Sequence, residues 1–257
     1  MFPIVTMTIT WILVIARFII AVQLTRVGRR QKLPNLLWLA AFFYITGTGD
    51  IFITLSPMTK LLWPFFLAVG LGEVMLVMFI HKTFYQDRKS PYLIFMVIAL
   101  GILVVDLISL RVNPTTTYLP HYNPFNWLWL IWVGYQAYKK IATNPAVEDW
   151  VKARYRLIIA YSLAALAAPL YSIISIVPYI SQSFGAWFYT EPTGPTIQLI
   201  AQVGILVFVT IGIALEYLAW VMPENYRKWL NRNYHSPVHD KTELSAEEVM
   251  RKLKAQA

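Results

Sequence analysis

Cysteine is absent from this chain of 257 residues, and charged side chains are scarce. Without cysteine the chain can form no disulfide, no thiolate nucleophile and no cysteine-ligated metal site. Charged residues make up 14% of the sequence, whereas a soluble domain carries about 25%. Hydrophobic residues make up 58%, and the mean hydropathy is +0.53. This composition predicts an integral membrane protein.

Seven apolar stretches fill most of residues 1–222. A membrane-spanning helix needs roughly 20 apolar residues, and all but the fifth stretch approach or exceed this length. The fifth is shorter, but Trp127, Trp129 and Trp132 favour its burial in the membrane. We therefore expect an all-α membrane protein, a bundle of seven transmembrane helices. The predicted spans are approximately Ile4–Leu24, Pro34–Leu55, Leu61–His81, Pro91–Leu110, Pro124–Tyr138, Ala153–Pro178 and Thr196–Val221.

Lysine and arginine are concentrated in every second connection between these stretches. Because basic connections stay on the cytoplasmic side, we expect an N-terminus outside and a C-terminus inside, in a multi-pass protein of the cell membrane. The net charge of +9 does not indicate nucleic acid, since the charges flank apolar spans, where they contact anionic lipid head groups of the bilayer. The basic residues of the first, third and fifth connections are Arg26, Arg29, Arg30 and Lys32, then Lys82, Arg88 and Lys89, then Lys139, Lys140, Lys152, Arg154 and Arg156.

Residues 223–257 form a short polar and basic tail. Its first part, Glu224–Asn233, is typical of an amphipathic helix that lies on the inner leaflet. Ser245 and Glu248 resemble a capping box that opens a last helix. The tail is too short for a kinase, cyclase or DNA-binding domain, so any cytoplasmic output requires a protein partner, which the tail would contact. The absence of cysteine and of a signal peptide is compatible with a prokaryotic membrane.

Two aspartates lie in the outer half of the predicted bundle. Asp50 and Asp106 share this depth with Ser172 and Gln202, and Thr46 lies one helical turn from Asp50. By helical rise, no basic residue of the spans lies in the same layer. We therefore expect at least one carboxyl group to be protonated, or the group to bind a cation or a ligand in a cavity that opens outward. The alternatives are a protonated aspartate that bonds a neighbouring helix, and a proton relay.

An arginine and a glutamate of opposite charge are predicted at matching depth. With a rise of about 1.5 Å per residue, Arg17 lies roughly 10 Å above the inner end of its span and Glu73 roughly 12 Å above its own. Ionisable groups within spans are costly and usually have a partner. The sequence therefore predicts an intramembrane ion pair, Arg17–Glu73, as a structural clamp or a functional gate. The alternative is an Arg17 side chain that extends to the inner head groups.

The segment Gly47-Thr48-Gly49-Asp50 resembles the GxGD motif of intramembrane aspartyl proteases of the presenilin and prepilin-peptidase type. The resemblance implies a protease with Asp106 as the second carboxylate. The chain departs from the pattern, since in those families the other aspartate precedes the GxGD helix. The segment Ala168-Pro169-Leu170 also differs from the expected Pro-Ala-Leu. We therefore expect no enzymatic activity.

Cofactor chemistry is restricted by the positions of lysine and histidine. Seven spans with an outer N-terminus resemble the layout of microbial rhodopsins and G-protein-coupled receptors, but a shared layout does not imply a shared function. No lysine lies between Lys152 and Lys228, which excludes a retinal Schiff base in the seventh span. A haem with two histidine ligands is not expected, because no two histidines are predicted at one depth within the spans. The four histidines are His81, His121, His235 and His239.

These observations favour a non-enzymatic sensor or receptor-like protein. A small or lipidic ligand in the outer cavity would shift the sixth span, kinked at Pro169, and the tail would pass the change to a cytoplasmic partner. The first alternative is an accessory or scaffold subunit of a larger membrane complex. The second is a proton- or cation-coupled transporter.

Overall fold

The computed structural model describes residues 2–59, 62–86, 88–112, 123–144, 147–169 and 193–233, and every regular element in these ranges is helical. Chain order gives eight α-helices, and a short π-helix, His81–Tyr85, continues α3. The α-helices are α1 (Phe2–Arg30), α2 (Pro34–Thr59), α3 (Trp63–Ile80), α4 (Tyr92–Val112), α5 (Pro124–Ala142), α6 (Asp149–Ala165), α7 (Thr193–Trp220) and α8 (Glu224–Asn233).

Within the described part of the chain, five helices are long and apolar enough to cross a membrane. Neither α5 nor α6 is among them, so the predicted count of seven spans is not confirmed, and neither is the orientation of the termini. These five helices, in a described part of the chain whose regular elements are all helical, support a membrane protein. Their apolar segments are Thr10–Arg30, Pro34–Ser56, Trp63–Tyr85, Tyr92–Arg111 and Val203–Trp220.

The helices pack in a defined order. Helix α2 lies between α1 and α3, α3 contacts α4, and α5, α6 and α7 pack in sequence until α7 returns to α1. Helix α4 is peripheral, and one of its faces exposes large apolar side chains, as contact with lipid requires. These exposed residues are Leu93, Ile94, Val97, Leu100, Val104, Val105 and Ile108.

Aromatic side chains connect the two halves of this arrangement. The Trp127 ring on α5 lies 6.0 Å from that of Phe42 on α2 and 6.5 Å from that of Tyr161 on α6. Trp220 at the end of α7 meets the Phe79 ring of α3 edge-on at 4.9 Å. Such edge-to-face pairs contribute about 0.5–1.5 kcal/mol each beyond the area that they bury. They fix α5, α6 and α7 against α2 and α3.

Helix α5 begins inside the bundle. Asn126, in its first turn, contacts Glu73, which lies near the middle of the apolar segment Trp63–Tyr85. Further along α5, Trp129 donates a hydrogen bond to Tyr85 at the end of that segment. The N-terminus of α5 therefore lies at about half the depth of α3, which explains why Pro124–Tyr138 is too short and too polar to resemble a complete span.

One end of the bundle carries most of the basic residues and is called here the basic end. It contains the α1–α2 turn at Lys32, the π-helix with the turn that follows it, and the α7–α8 corner at Met222. Lys32, Gln86 and Met222 have φ angles of 54°, 51° and 44°, values that residues with a Cβ adopt at a cost of roughly 1–2 kcal/mol. His81 begins the π-helix, and its Nδ1 lies 2.6 Å from the Ser90 hydroxyl.

The predicted break in the sixth span and the first tail helix are both present. Helix α6 ends at Ala165 and is followed by a turn at Leu166 before helix resumes at residues 167–169, and Ala165 lies four residues before Pro169, whose ring displaces the carbonyl of the residue four positions earlier. Helix α8 has the predicted bounds Glu224–Asn233 and packs on α6. The capping-box residues Ser245 and Glu248 lie outside the described residues, as do His121, His235, His239 and residues 170–178 of the predicted sixth span.

Candidate functional site: the buried charge network

A buried ion pair joins α1 to α2. Arg17 Nη1 lies 3.0 Å from Asp50 Oδ2, and the two side chains are 12% and 9% exposed. Asp50 follows Gly49, which faces α3, where an added Cβ would lie 2.9 Å from Ala68. Successive residues of an α-helix point about 100° apart. Gly49 faces α3, so Asp50 points to a different neighbour, α1. Asp50 is therefore an ion-pair partner in the interior of the bundle.

The predicted pair Arg17–Glu73 is wrong, and so is the prediction that no basic residue reaches the layer of Asp50. Helix α2 lies between α1 and α3, so Arg17 and Glu73 are on helices that do not pack together. Counting residues located the backbone of Arg17 but not its guanidinium. Helical side chains tilt toward the N-terminus, so the long Arg17 side chain reaches one turn further from the basic end, to Asp50.

Arg17 also acts on a second carboxyl group, on α7. The guanidinium interacts electrostatically with Glu216, which is 4% exposed. Oε1 of Glu216 has no hydrogen-bond partner among the described residues. Glu216 is one turn before the inner end of the predicted seventh span, a position that predicts a pair with Arg227 or another basic group at the surface, whereas the structure buries Glu216 inside the bundle. Arg17 is thus the common cation of two acidic groups on two different helices, Asp50 on α2 and Glu216 on α7.

Tyr161 connects this carboxyl group to the end of α7. Its ring is fully buried on α6, it interacts electrostatically with Glu216, and its hydroxyl accepts a hydrogen bond of 3.0 Å from Trp220 Nε1. The hydroxyl of a buried tyrosine usually has a hydrogen-bond partner, and here that partner is the indole of Trp220. The Trp220–Tyr161 hydrogen bond thus links the end of α7 to α6, and Arg17 and Tyr161 both interact electrostatically with Glu216.

Glu73 has partners of its own at the start of α5. Its Oε2 accepts a hydrogen bond of 2.7 Å from Asn126 Nδ2, and its carboxyl group also accepts one from the backbone N–H of Asn123. Asn123 caps α5, since its side chain accepts from the backbone N–H of Phe125. A helix N-terminus carries about half a positive charge, so it is a suitable partner for a buried carboxyl group. The partner of Glu73 is thus a helix end and not Arg17.

Asp106 lies on the face of α4 that packs on α3. Leu103, one turn away on the same face, would contact a Cβ added to Gly70 of α3 at 2.7 Å. Asp106 is 4% exposed, and its Oδ1 has no hydrogen-bond partner among the described residues. Because α2 and α4 both pack on α3, and Asp50 faces α1, the structure does not bring the two aspartates together as a protease pair would require.

Thr46 bonds to the backbone of its own helix and packs against α3. Its hydroxyl donates to the Phe42 carbonyl at 2.8 Å and therefore does not donate to Asp50, one helical turn away. Its methyl group lies against Gly72 of α3, where an added Cβ would be 2.5 Å away. Of the other two predicted ligand residues, Ser172 lies outside the described residues and Gln202 lies within α7.

Three polar residues of the network escaped sequence reasoning, namely Asn123, Asn126 and Tyr161. A signal for the first two was present, since Asn123-Pro124 is an N-cap followed by a proline at the first helical position. It marks where α5 begins in the chain but not how deep in the bundle that start lies. Tyr161 gave no signal, because tyrosines are common throughout the apolar stretches.

The described residues contain no group of three or more histidine, aspartate or glutamate side chains that could hold a metal ion. No family model matches the chain, and no curated protein and no solved structure is significantly similar to it.

Proposed function

We propose that this chain is a non-enzymatic multi-pass membrane sensor with seven spans, an outer N-terminus and a cytoplasmic tail. A small or lipidic ligand, or a membrane cue, acts on the half of the bundle that holds Asp50 and Asp106. The shift reaches a cytoplasmic partner through α7 and α8. In this orientation the basic end is cytoplasmic.

The observation that carries the proposal is that Arg17, paired with Asp50, also interacts electrostatically with Glu216. Of these two carboxyl groups, Asp50 lies toward the end of the bundle opposite the basic end, and Glu216 lies four residues before the end of α7. A signal requires an element with two arrangements whose balance a ligand can bias. A guanidinium that binds Asp50 in one state and Glu216 in the other is such an element.

The route from this element to the tail is short. Glu216 is one turn from Trp220, and the chain enters α8 at Glu224 after a corner at Met222. Trp220 is held by the Tyr161 hydroxyl, and Tyr161 interacts with Glu216. Movement of Arg17 toward Glu216 would therefore change the electrostatic environment of Tyr161. Through the bond from Trp220 to Tyr161, it would also change the position from which α8 begins. Shifts of helices by about 1–2 Å are common in such transitions.

The test measures the distance between α8 and α2 by pulsed electron paramagnetic resonance. The chain has no cysteine, so Leu37→Cys on α2 and Asn225→Cys on α8 introduce the only two labelling sites, and both positions are exposed. Asp50→Asn removes the ion-pair partner of Arg17 and leaves Glu216 as its carboxyl partner. We expect a second distance population in Asp50→Asn, and its loss when Glu216→Gln is added.

A matched control is Asp149→Asn, which removes the carboxylate of a partly exposed ion pair and should leave the distance unchanged. An unchanged distance in Asp50→Asn itself would contradict the switch. Native mass spectrometry of the protein from its own membrane tests the rest of the proposal. A single chain with a reproducible small-molecule mass supports an autonomous sensor, whereas a stoichiometric complex with other polypeptides favours the accessory-subunit alternative.

One observation favours a second candidate function, a proton- or cation-coupled transporter. Helix α5 starts at mid-depth, and its first turn binds the Glu73 carboxyl group. Discontinuous helices whose ends meet charged groups near the midplane are typical of transporter sites. Under this alternative, uptake into proteoliposomes would depend on pH or sodium and would be lost in Glu73→Gln, whereas a sensor would show no uptake.

A further inference from the structure

Helix α5 exposes one regular row of side chains along its length. The spacing between successive members alternates between three and four residues, so all of them lie on one face of the helix. Four members are large and at least half exposed, and the fifth is an exposed lysine. This α5 row therefore has an apolar length and one charged end, as a lipid does. It consists of Phe125, Leu128, Trp132, Tyr135 and Lys139.

The α5 row extends from the middle of the bundle to the basic end. Phe125 precedes Asn126, whose contact with Glu73 places the start of α5 at mid-depth. From Phe125 to Lys139 the helix rises about 21 Å, at about 1.5 Å per residue. Half of a bilayer, with its head groups, is roughly 20–22 Å thick. The row therefore matches the length of one lipid in a single leaflet.

A second cation lies beside the charged end of the row. Arg156 on α6 is exposed, and its Nε donates a hydrogen bond of 3.0 Å to the hydroxyl of Tyr138, the residue before Lys139. The guanidinium carbon also lies 5.3 Å from the centre of the Tyr138 ring. Two contacts with one side chain orient the guanidinium, and the bond to the hydroxyl uses Nε and neither terminal amino group. Within the described part of the chain, neither Arg156 nor Lys139 forms an ion pair.

The π-helix shows that this pair of cations belongs to the basic end. Tyr155, the residue before Arg156, has its ring 6.5 Å from that of Phe84 in the π-helix. Along α6 the face of Arg156 becomes apolar, because Leu163, two turns further, is more than half exposed. The two helices approach closely at Gly134, where an added Cβ would lie 3.2 Å from Ile158. The exposed faces of α5 and α6 therefore lie side by side.

We propose that these two faces bind one anionic phospholipid from the leaflet at the basic end. The terminal amino groups of Arg156 donate to the phosphate oxygens, and Lys139 adds a second positive charge. An arginine that is already oriented loses less conformational freedom for each hydrogen bond that it forms to phosphate. One acyl chain lies along Trp132 and Leu128. The site shares no residue with the Arg17 switch, so either can fail alone.

The test is native mass spectrometry of the full chain from micelles that contain phosphatidylglycerol and phosphatidylcholine in equal amounts. Both lipids carry the phosphate diester, but phosphatidylglycerol alone has a net negative charge. We expect one phosphatidylglycerol to be retained in preference to phosphatidylcholine. Arg156→Gln combined with Lys139→Gln should reduce this preference about tenfold or more, because hydrogen bonds between charged groups are lost. Both side chains are exposed, so the double variant should fold.

The matched control combines Arg29→Gln with Arg30→Gln. It removes the same charge from two exposed residues in the last turn of α1, at the same end of the bundle, and should keep the lipid. Tyr138→Phe retains both cations but removes the hydroxyl that orients Arg156, so it should weaken retention of phosphatidylglycerol. A general attraction of anionic lipid to the basic end would instead give equal losses in the two double variants and no loss in Tyr138→Phe. That result, or equal retention of the two lipids by the wild type, would overturn the proposal.

Discussion

Arg17 and Asp50 form an ion pair of 3.0 Å between α1 and α2, with both side chains almost removed from the surface. Burying two charges costs several kcal/mol for each ion, and their attraction repays this only when both are present. Removing one partner leaves an unpaired buried charge, whereas replacing both with apolar residues is often neutral or stabilising. The contact therefore affects stability in a way that single and double variants separate.

We predict that Asp50→Asn lowers the free energy of unfolding by at most about 3–5 kcal/mol, the usual cost of breaking a buried pair, because Glu216 remains as a carboxyl partner for Arg17. The double variant Arg17→Met with Asp50→Leu should recover most of that loss. Unfolding in detergent micelles, followed by circular dichroism, measures both. Asp149→Asn is the control, because its partner Lys152 is 3.9 Å away and the pair is partly exposed, and solvent-screened pairs contribute less than about 1 kcal/mol. A double variant no more stable than Asp50→Asn would refute a buried pair.

Glu73 should stabilise the start of α5. Glu73→Leu leaves the Asn126 amide and the Asn123 backbone N–H without their acceptor, at about 1–3 kcal/mol for each buried donor. Glu73→Gln keeps one oxygen acceptor and should lose less. Hydrogen exchange of the first amides of α5 measures the effect, and these amides should exchange faster in Glu73→Leu than in Glu73→Gln. Equal exchange in both variants and wild type would show that α5 does not depend on this carboxyl group.

Much of the fold could be predicted from the sequence, since apolar length locates the helices directly. The starts of α2, α5 and α8 agree with the predicted bounds, because Pro34, Asn123-Pro124 and Pro223-Glu224 are local signals. The depth at which α5 starts was not predictable. A span pattern assumes that every helix begins at a membrane surface, whereas Asn126 contacts the middle of α3.

The sequence predicted which residues belong to the candidate site better than it predicted which of them contact each other. Arg17, Asp50, Glu73 and Asp106 are all buried or nearly so, as their positions within apolar stretches indicated. Their partners depend on which helices are neighbours and on where side chains point. Residue counting gives the height of a Cα atom along its helix. It gives neither the neighbouring helices nor the direction of a side chain. For that reason, matching residues by height paired Arg17 with Glu73, although α2 separates their two helices.

Orientation can be tested because the chain has no cysteine, so each introduced cysteine is the only reactive thiol. We predict that Arg30→Cys, Arg88→Cys and Asn144→Cys are labelled by an impermeant maleimide only from the cytoplasmic side. Thr193→Cys, at the start of α7, should be labelled only from outside. This is the pattern of basic connections that remain in the cytoplasm. Labelling of Asn144→Cys from outside would place the α5–α6 turn on the other face and would exclude the seven-span arrangement.

The contact between Gly72 and Thr46 should limit how closely α2 and α3 approach. A Cβ at position 72 would lie 2.5 Å from the Thr46 methyl group, too close for either helix to keep its place. We predict that Gly72→Ala lowers the free energy of unfolding by about 1–3 kcal/mol, as overpacking of a core does. Gly101→Ala is the control, because an added Cβ there meets nothing within 4 Å. It should be neutral or slightly stabilising, since alanine is the better helix former. Adding Thr46→Ser removes the clashing methyl group but keeps the hydroxyl that bonds Phe42, so it should restore most of the loss in Gly72→Ala. If the serine gives no rescue, the loss arises from something other than this contact.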